Sequence, residues 1–397
     1  MESDDTTSLE ATNPSTNITA DEIDEETAKK LRGDAIGNTM YSEVFVLNTL
    51  IQFSDLKWSE EVENNLCFLW DMTEDTDVCK YLFQASYPKL ACSAIDNYTE
   101  PRFIEIVVGI FANLLCSKCE KNVTEEEIKT VLNLLSSNDP YILIQVMRFI
   151  HAASFLVDKW EFFEEEHLDR FDFILASSTN KELLAIALKA LVSITEGMKI
   201  KVDILKGGLL GAVVAGYRTL RDDCEDFEVF EVRERHANVK HLISFLCNLC
   251  GYVDVLNRNE LAGEVSPLLP EFTNEVALLL HCYVNEDNLL PMDDEFRFYM
   301  EGLTYIYRVL KVGYLSAVAR DVYAIFAIIY NKDRANLDVV AELFCYFMAV
   351  GDLKSFQDDF ENVSPDEVKE ILSYLEKRNF QFEFVYIDKL RAILNEL

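Results

Sequence analysis

Two Cys-x-x-Cys pairs, Cys116/Cys119 and Cys247/Cys250, each have the residue types and spacing of half a four-thiolate zinc site. The pairs stand much further apart than the halves of a compact zinc module, and each lies within or at the end of an apolar helical stretch. They read as small packing hydrophobes with neither a metal nor a redox role. Asp71, Asp75 and Asp77 have a spacing that a calcium loop uses, but the mid-loop glycine and the closing bidentate glutamate are missing. An inter-helix turn fits better, with Thr or Asp capping the next helix and Trp70 as the apolar anchor of the corner. Gly207, Gly208, Gly211 and Gly216 are not spaced as Gly-x-Gly-x-x-Gly, and no Gly-Lys-Ser/Thr follows them. They read as a corner. The 5 histidines, His151, His167, His236, His241 and His281, are scattered, and neither His-Glu-x-x-His nor Gly-x-Ser-x-Gly occurs. His151 sits in an apolar helix and reads as a hydrogen-bonded core residue. These residues predict no catalytic group, no metal and no cofactor.

The elements that carry them follow from composition. Among 397 residues, 36 Lys and Arg face 70 Asp and Glu, a net charge of −34. Nucleic acid and anionic lipid would be repelled by most of such a surface, so neither is an expected partner. Hydrophobic residues at 50% supply a core for most of the chain. Only 13 glycines and 8 prolines are present, which points to long helices joined by short loops. Met1–Ala20 is polar and acidic, without the basic start and apolar run of a secretory signal. The apolar stretches are too short to span a bilayer. A soluble intracellular protein is expected, and 10 cysteines in mostly apolar contexts fit a reducing compartment.

Residues 1–32 read as a disordered acidic tail, and organised sequence starts at Gly33. Beyond it the periodicity is helical. Leu183, Leu184, Ala187, Leu188, Leu191 and Ile194 share one face, as do Val368, Ile371, Leu372 and Leu375. Thr124 with Glu127 and Ser364 with Glu367 form capping boxes, and Asp139-Pro140 is an N-cap with Pro at the first helical position. Ile104–Leu115, Ile142–Phe155, Leu242–Leu249, Asp321–Tyr330 and Leu343–Val350 are apolar nearly all round and must be covered on most sides. Between them lie helices with one polar face, such as Glu125–Leu135. This alternation is what a stacked solenoid requires. Asn113, Arg148 and Leu188 occupy similar places in successive inner helices, roughly 35–40 residues apart, within the armadillo/HEAT range.

Two segments resemble armadillo repeats: the stretch from Pro88 to Cys116, and Val202–Leu220 with its Gly-Gly corner. The latter leads on to Asn248-Leu249. More specific are Gly33-Asp34-Ala35-Ile36-Gly37-Asn38-Thr39-Met40-Tyr41-Ser42 and the block Leu66–Val78, which contains Trp70-Asp71-Met72-Thr73. With Gly109-Ile110 and Asn113–Cys116 they resemble the opening of the serum amyloid A-like protein family, over about 85 residues from 33 to 116. The resemblance implies an armadillo-like fold, a nuclear location, with the cytoplasm as a second compartment, and a link to cell proliferation. It implies no catalytic activity. Gly33, Asp34, Gly37, Tyr41, Trp70 and Asp71 are its structural motif.

In armadillo proteins the third-helix asparagine faces the groove and holds the backbone of an extended peptide, because an amide donates and accepts at once. That resemblance makes Asn113 and Asn248, with Arg148, the candidate partner-binding residues. The competing reading is a hydrogen bond inside the stack. The expectation is therefore an all-α, right-handed armadillo/HEAT-like solenoid over 33–397, a non-catalytic scaffold that binds a protein or peptide. The acidic runs Glu164-Glu165-Glu166, Asp222-Asp223 and Asp293-Asp294-Glu295 would attract a basic one. A receptor for basic localisation segments is the alternative, although Trp58, Trp70 and Trp160 form no regular ladder. An enzyme or metalloprotein using the cysteines is the third.

Overall fold

The computed structural model describes residues 33–54, 58–117, 123–206, 208–221, 229–256, 259–351 and 365–377, with positions 388, 391, 392 and 395. The acidic tail, Cys119, Gly207, Asp222-Asp223 and Ser364 lie outside the described residues.

The described elements are helical, and the sole β feature among them is an isolated bridge between Ala35 and Ser42. Helices α1 (Glu43–Ser54), α2 (Glu60–Met72), α3 (Thr76–Gln84), α4 (Tyr87–Asn97) and α5 (Pro101–Cys116) come first. Then follow α6 (Glu125–Leu132), α7 (Pro140–Ala153), α8 (Glu165–Ser177), α9 (Lys181–Thr195), α10 (Gly208–Arg221) and α11 (Val229–Leu256). The remainder are α12 (Asn259–Val265), α13 (Leu269–Cys282), α14 (Glu286–Leu289), α15 (Asp294–Leu310), α16 (Ser316–Lys332), α17 (Asp338–Val350) and α18 (Pro365–Glu376).

Helix starts are chemically marked. The Thr124 hydroxyl accepts the Glu127 N–H at 3.3 Å while the Glu127 carboxylate accepts the Thr124 N–H at 2.7 Å. Asp139 accepts from the N–H groups of Tyr141 and Ile142 ahead of Pro140. Asp75 accepts the Asp77 N–H at 2.8 Å and starts α3, so the aspartate-rich corner is a capped turn.

Each inner helix touches the next: α2 to α5, then α7, α9, α11, α15 and α17. A second layer (α4 with α6, α8 with α10, α13 with α16) backs that row. In α5 every residue from Phe103 to Ala112 is buried, because neighbours cover it on both sides and behind. Phe111 meets Phe149 of α7 edge-on at 4.8 Å, and Tyr87 of α4 donates to the Val107 carbonyl at 3.1 Å. Further along, Tyr346 of α17 donates to the Tyr307 carbonyl of α15 at 2.8 Å. The apolar segment Asp321–Tyr330 belongs to α16, which packs on α13 and α17 in the second layer. Asn248-Leu249 does not end its helix as Asn113-Leu114 nearly ends α5; α11 continues to Leu256.

Candidate functional site

The two motif blocks meet in space. Gly33 and Gly37 sit at φ +66° and +56°, where a side chain is strained, and a Cβ on Gly37 would run into Asp77. The Asn38 N–H donates to the Asp77 carboxylate at 3.2 Å, and Lys80 binds the same group at 3.0 Å. Lys80 first, then Asn38, holds this carboxyl below its ordinary range. The Ser42 hydroxyl donates a hydrogen bond to the Asp34 carboxylate, and Ser42 Oγ in turn accepts the Phe45 N–H at 3.1 Å to start α1. The Ile36 N–H donates to the Tyr41 carbonyl at 2.8 Å and closes the loop, with the Tyr41 ring against the core. Trp70 does more than anchor its own corner: its indole lies where a Cβ on Gly109 of α5 would go. Asp71 is exposed, and its carbonyl accepts the Glu74 N–H at 3.2 Å. The motif thus ties the first helices together.

The candidate binding residues fall on one polar row crossing the inner helices. Asn113 donates to the Thr73 hydroxyl at 2.8 Å, and Arg148 donates to Asn113 Oδ1 at 2.7 Å and to Gln145 Oε1 at 2.6 Å. His151, one turn beyond Arg148, pairs with Ser193 of α9 at 2.6 Å. Asn248 of α11 donates to the Val192 carbonyl and the Thr195 hydroxyl of α9, both at 3.0 Å. In both halves, then, a third-helix asparagine grips a threonine at the end of the preceding inner helix. Asn113, Arg148 and Asn248 stay half-buried, while Thr73, Gln145, Ser193 and Thr195 beneath them are buried. Leu188 does not join the row; it is buried and its neighbour Lys189 is the partly exposed residue. Gln145, Lys189 and Ser193 were missed by spacing, although each is a polar letter inside an otherwise apolar helix. Thr73 and Thr195 carried no such signal.

Lysines gather around the two imidazoles of this row. Burial, then Lys189, His241 and Lys199, pushes His151 down to about 4. Burial, then Lys189 and Lys240, pushes His241 down to about 4 as well, and its Nδ1 is buried without a hydrogen-bond partner among the described residues. Lys199 donates to the Ser154 and Ser193 carbonyls at 2.9 and 3.2 Å. It also stands 5.7 Å from the Phe155 ring. A pH dependence follows. Between the ordinary value of 6.5 and about 4 the unfolded chain binds protons at these imidazoles and the folded chain does not. Their contribution to stability is full above pH 6.5, falls as the pH drops through that window and levels off below about 4. Urea midpoints at pH 7 and pH 5 should differ less for His151→Gln/His241→Gln than for wild type; equal differences would contradict the assignment.

The other histidines serve local structure. His167 accepts the Glu164 N–H at 2.9 Å to cap α8, and His281 approaches Asp321 at 3.4 Å. The side chain of His236 lies outside the described residues. Burial raises the Cys247 thiol to about 12 and Cys250 further still, the opposite of a reactive thiolate. Among the described residues no three His, Cys, Asp or Glu side chains are grouped to hold a metal, and no helix is long and apolar enough to cross a membrane.

Helical units stacked through a continuous inner row, with asparagines repeated in register, define an armadillo-like α-solenoid. No protein-family profile matches the chain. Over about two-fifths of its length it is a distant relative of protein SAAL1. It is 31% identical to SAAL1 of Homo sapiens over 178 residues, 38% of each chain. It is 29% identical to saal1 of Danio rerio over 183 residues, 41% of this chain and 39% of that one. The matches thus span less than half the length of these curated relatives. Among solved structures, a designed armadillo repeat protein in complex with a (KR)4 peptide aligns with 67% of this chain and 100% of its own, at 12% identity and a TM-score of 0.41. An engineered protein aligns with 93% of this chain and 94% of its own, at 13% identity and a TM-score of 0.43.

Proposed function

We propose that the chain is a non-catalytic interaction scaffold that holds an extended protein or peptide segment along its inner helices. The observation that carries this reading is the recurrence of half-buried hydrogen-bonding side chains along one helix row, Asn113 on α5, Arg148 on α7 and Asn248 on α11, with Lys189 on the intervening α9. Neighbouring helices pack ~10 Å apart, about three residues of an extended strand, so a segment laid across the row meets a new side chain every third residue. Asn248 spends both amide hydrogens on α9 and keeps Oδ1, which can accept a peptide N–H. The resemblance over residues 33–116 extends the proposal to a nuclear protein linked to cell proliferation, which fractionation and depletion experiments test.

The direct test is the double variant Asn113→Ala/Asn248→Ala in affinity capture with mass spectrometry, beside thermal melts. Each amide makes internal bonds, so a loss of about 1 kcal/mol per site is expected, together with loss of captured partners. Normal capture with reduced stability would reassign both asparagines to the stack alone.

A further inference from the structure

The net charge of −34 leads one to expect a basic partner, yet the stretch of the inner row from α7 to α11 gathers cations. Lys189 on α9, Lys199 just beyond it and Lys240 on α11 surround the neutral imidazoles of His151 on α7 and His241 on α11, with Arg148 one turn from His151. Their counter-charges are few. The guanidinium of Arg148 is met by two neutral amide oxygens. Among the described residues Lys189 and Lys240 make no ion pair, and the carboxylate nearest Lys199 is Glu196, at 4.0 Å. Lys240 stands over the Phe298 ring of α15 at 5.7 Å, as Lys199 does over Phe155. Among the described residues His241 leaves a buried ring nitrogen without a partner.

Cations gathered on one face and left without carboxylates repel one another and gain most from an anion. A chain that spends 70 residues on acid has ample means to neutralise them and does not. We infer that the segment held by this row is acidic: an extended peptide whose Asp or Glu side chains reach Arg148, Lys189 and Lys240 while its backbone lies against Asn113 and Asn248. The inference rests on the proposed scaffold reading and adds the chemistry of the ligand. A long nucleic acid is disfavoured, because its phosphates would run past the row onto acidic surface, whereas a peptide of about ten residues covers the three steps between the four inner helices α5, α7, α9 and α11 and stops. Aromatic rings beneath the lysines suit carboxylates carried on short apolar stems, and the carboxamides match peptide groups.

The test is fluorescence anisotropy with three labelled peptides of equal length, (Glu-Ser)5, (Lys-Ser)5 and (Gly-Ser)5, and a single-stranded oligothymidylate. The proteins are wild type, Lys189→Glu and Asn113→Ala/Asn248→Ala, each checked by circular dichroism. The expected result is (Glu-Ser)5 bound about ten-fold tighter than (Lys-Ser)5, weakened about ten-fold by Lys189→Glu, and weakened by rising salt. Tighter binding of (Lys-Ser)5 that the asparagine variant weakens would overturn the acidic ligand and leave the scaffold standing. No binding of any peptide would overturn both. Preference for the oligonucleotide, or indifference to Lys189→Glu in a folded variant, would also overturn the inference.

Discussion

Phe149→Ala should cost the molecule about 3–5 kcal/mol, the range for deleting a fully enclosed aromatic ring. Phe149 has 0% exposure and sits in α7 with its ring 4.8 Å from that of Phe111, between the two inner helices that flank it. The α7 helix is packed between α5 and α9, and Phe111, also at 0% exposure, loses its edge contact. Because stacked repeats are stabilised by nearest-neighbour interfaces, the damage should be read as a broken transition rather than a uniform shift. Urea melts followed by circular dichroism should resolve an early step, and hydrogen exchange should place the loss in α5–α9 while α15–α17 keep their protection. A single transition displaced by less than about 1 kcal/mol would mean that the interface between α5 and α7 is far softer than its burial suggests.

Gly109→Ala is the second large effect, from a single methyl group. The Trp70 indole occupies the position a Cβ would take, so the ring must swing away or α5 must withdraw from α2. Overpacking of this kind costs about 1–3 kcal/mol, and a rigid ring puts the expectation in the upper part of that range despite alanine's better helix propensity. The decisive measurement is a cycle with Trp70→Leu. In that background the added methyl should become nearly neutral, giving a coupling of about 2 kcal/mol. Equal costs in both backgrounds would show that the glycine is required for some other reason.

Much of the architecture could be read from one dimension. The capping box at Thr124, the Asp139-Pro140 start and the one-sided pattern of residues 183–194 are local signals, and each marks the helix expected of it. Helices apolar all round announced an inner layer, although Asp321–Tyr330 turned out to lie behind it, since uniform apolarity reports coverage and not which layer supplies it. The site was only half legible. Asn113 and Asn248 stand out by spacing, but their partners Thr73 and Thr195 lie 40 and 53 residues away, where no periodicity connects them. The conjunction of Gly37 with Asp77, and of Gly109 with Trp70, was visible as recurring words and not as contacts. The gathering of lysines around the row's imidazoles was hidden by the total: a sum of −34 says nothing about where 36 positive residues gather.

Helices whose inner contacts reach the next member of the row, and seldom beyond it, leave the chain free to age in pieces. Change accepted at one end need not be answered at the other, as it must be in a closed globule with one shared centre. A protein built this way can change the packing of one end while the other keeps its own.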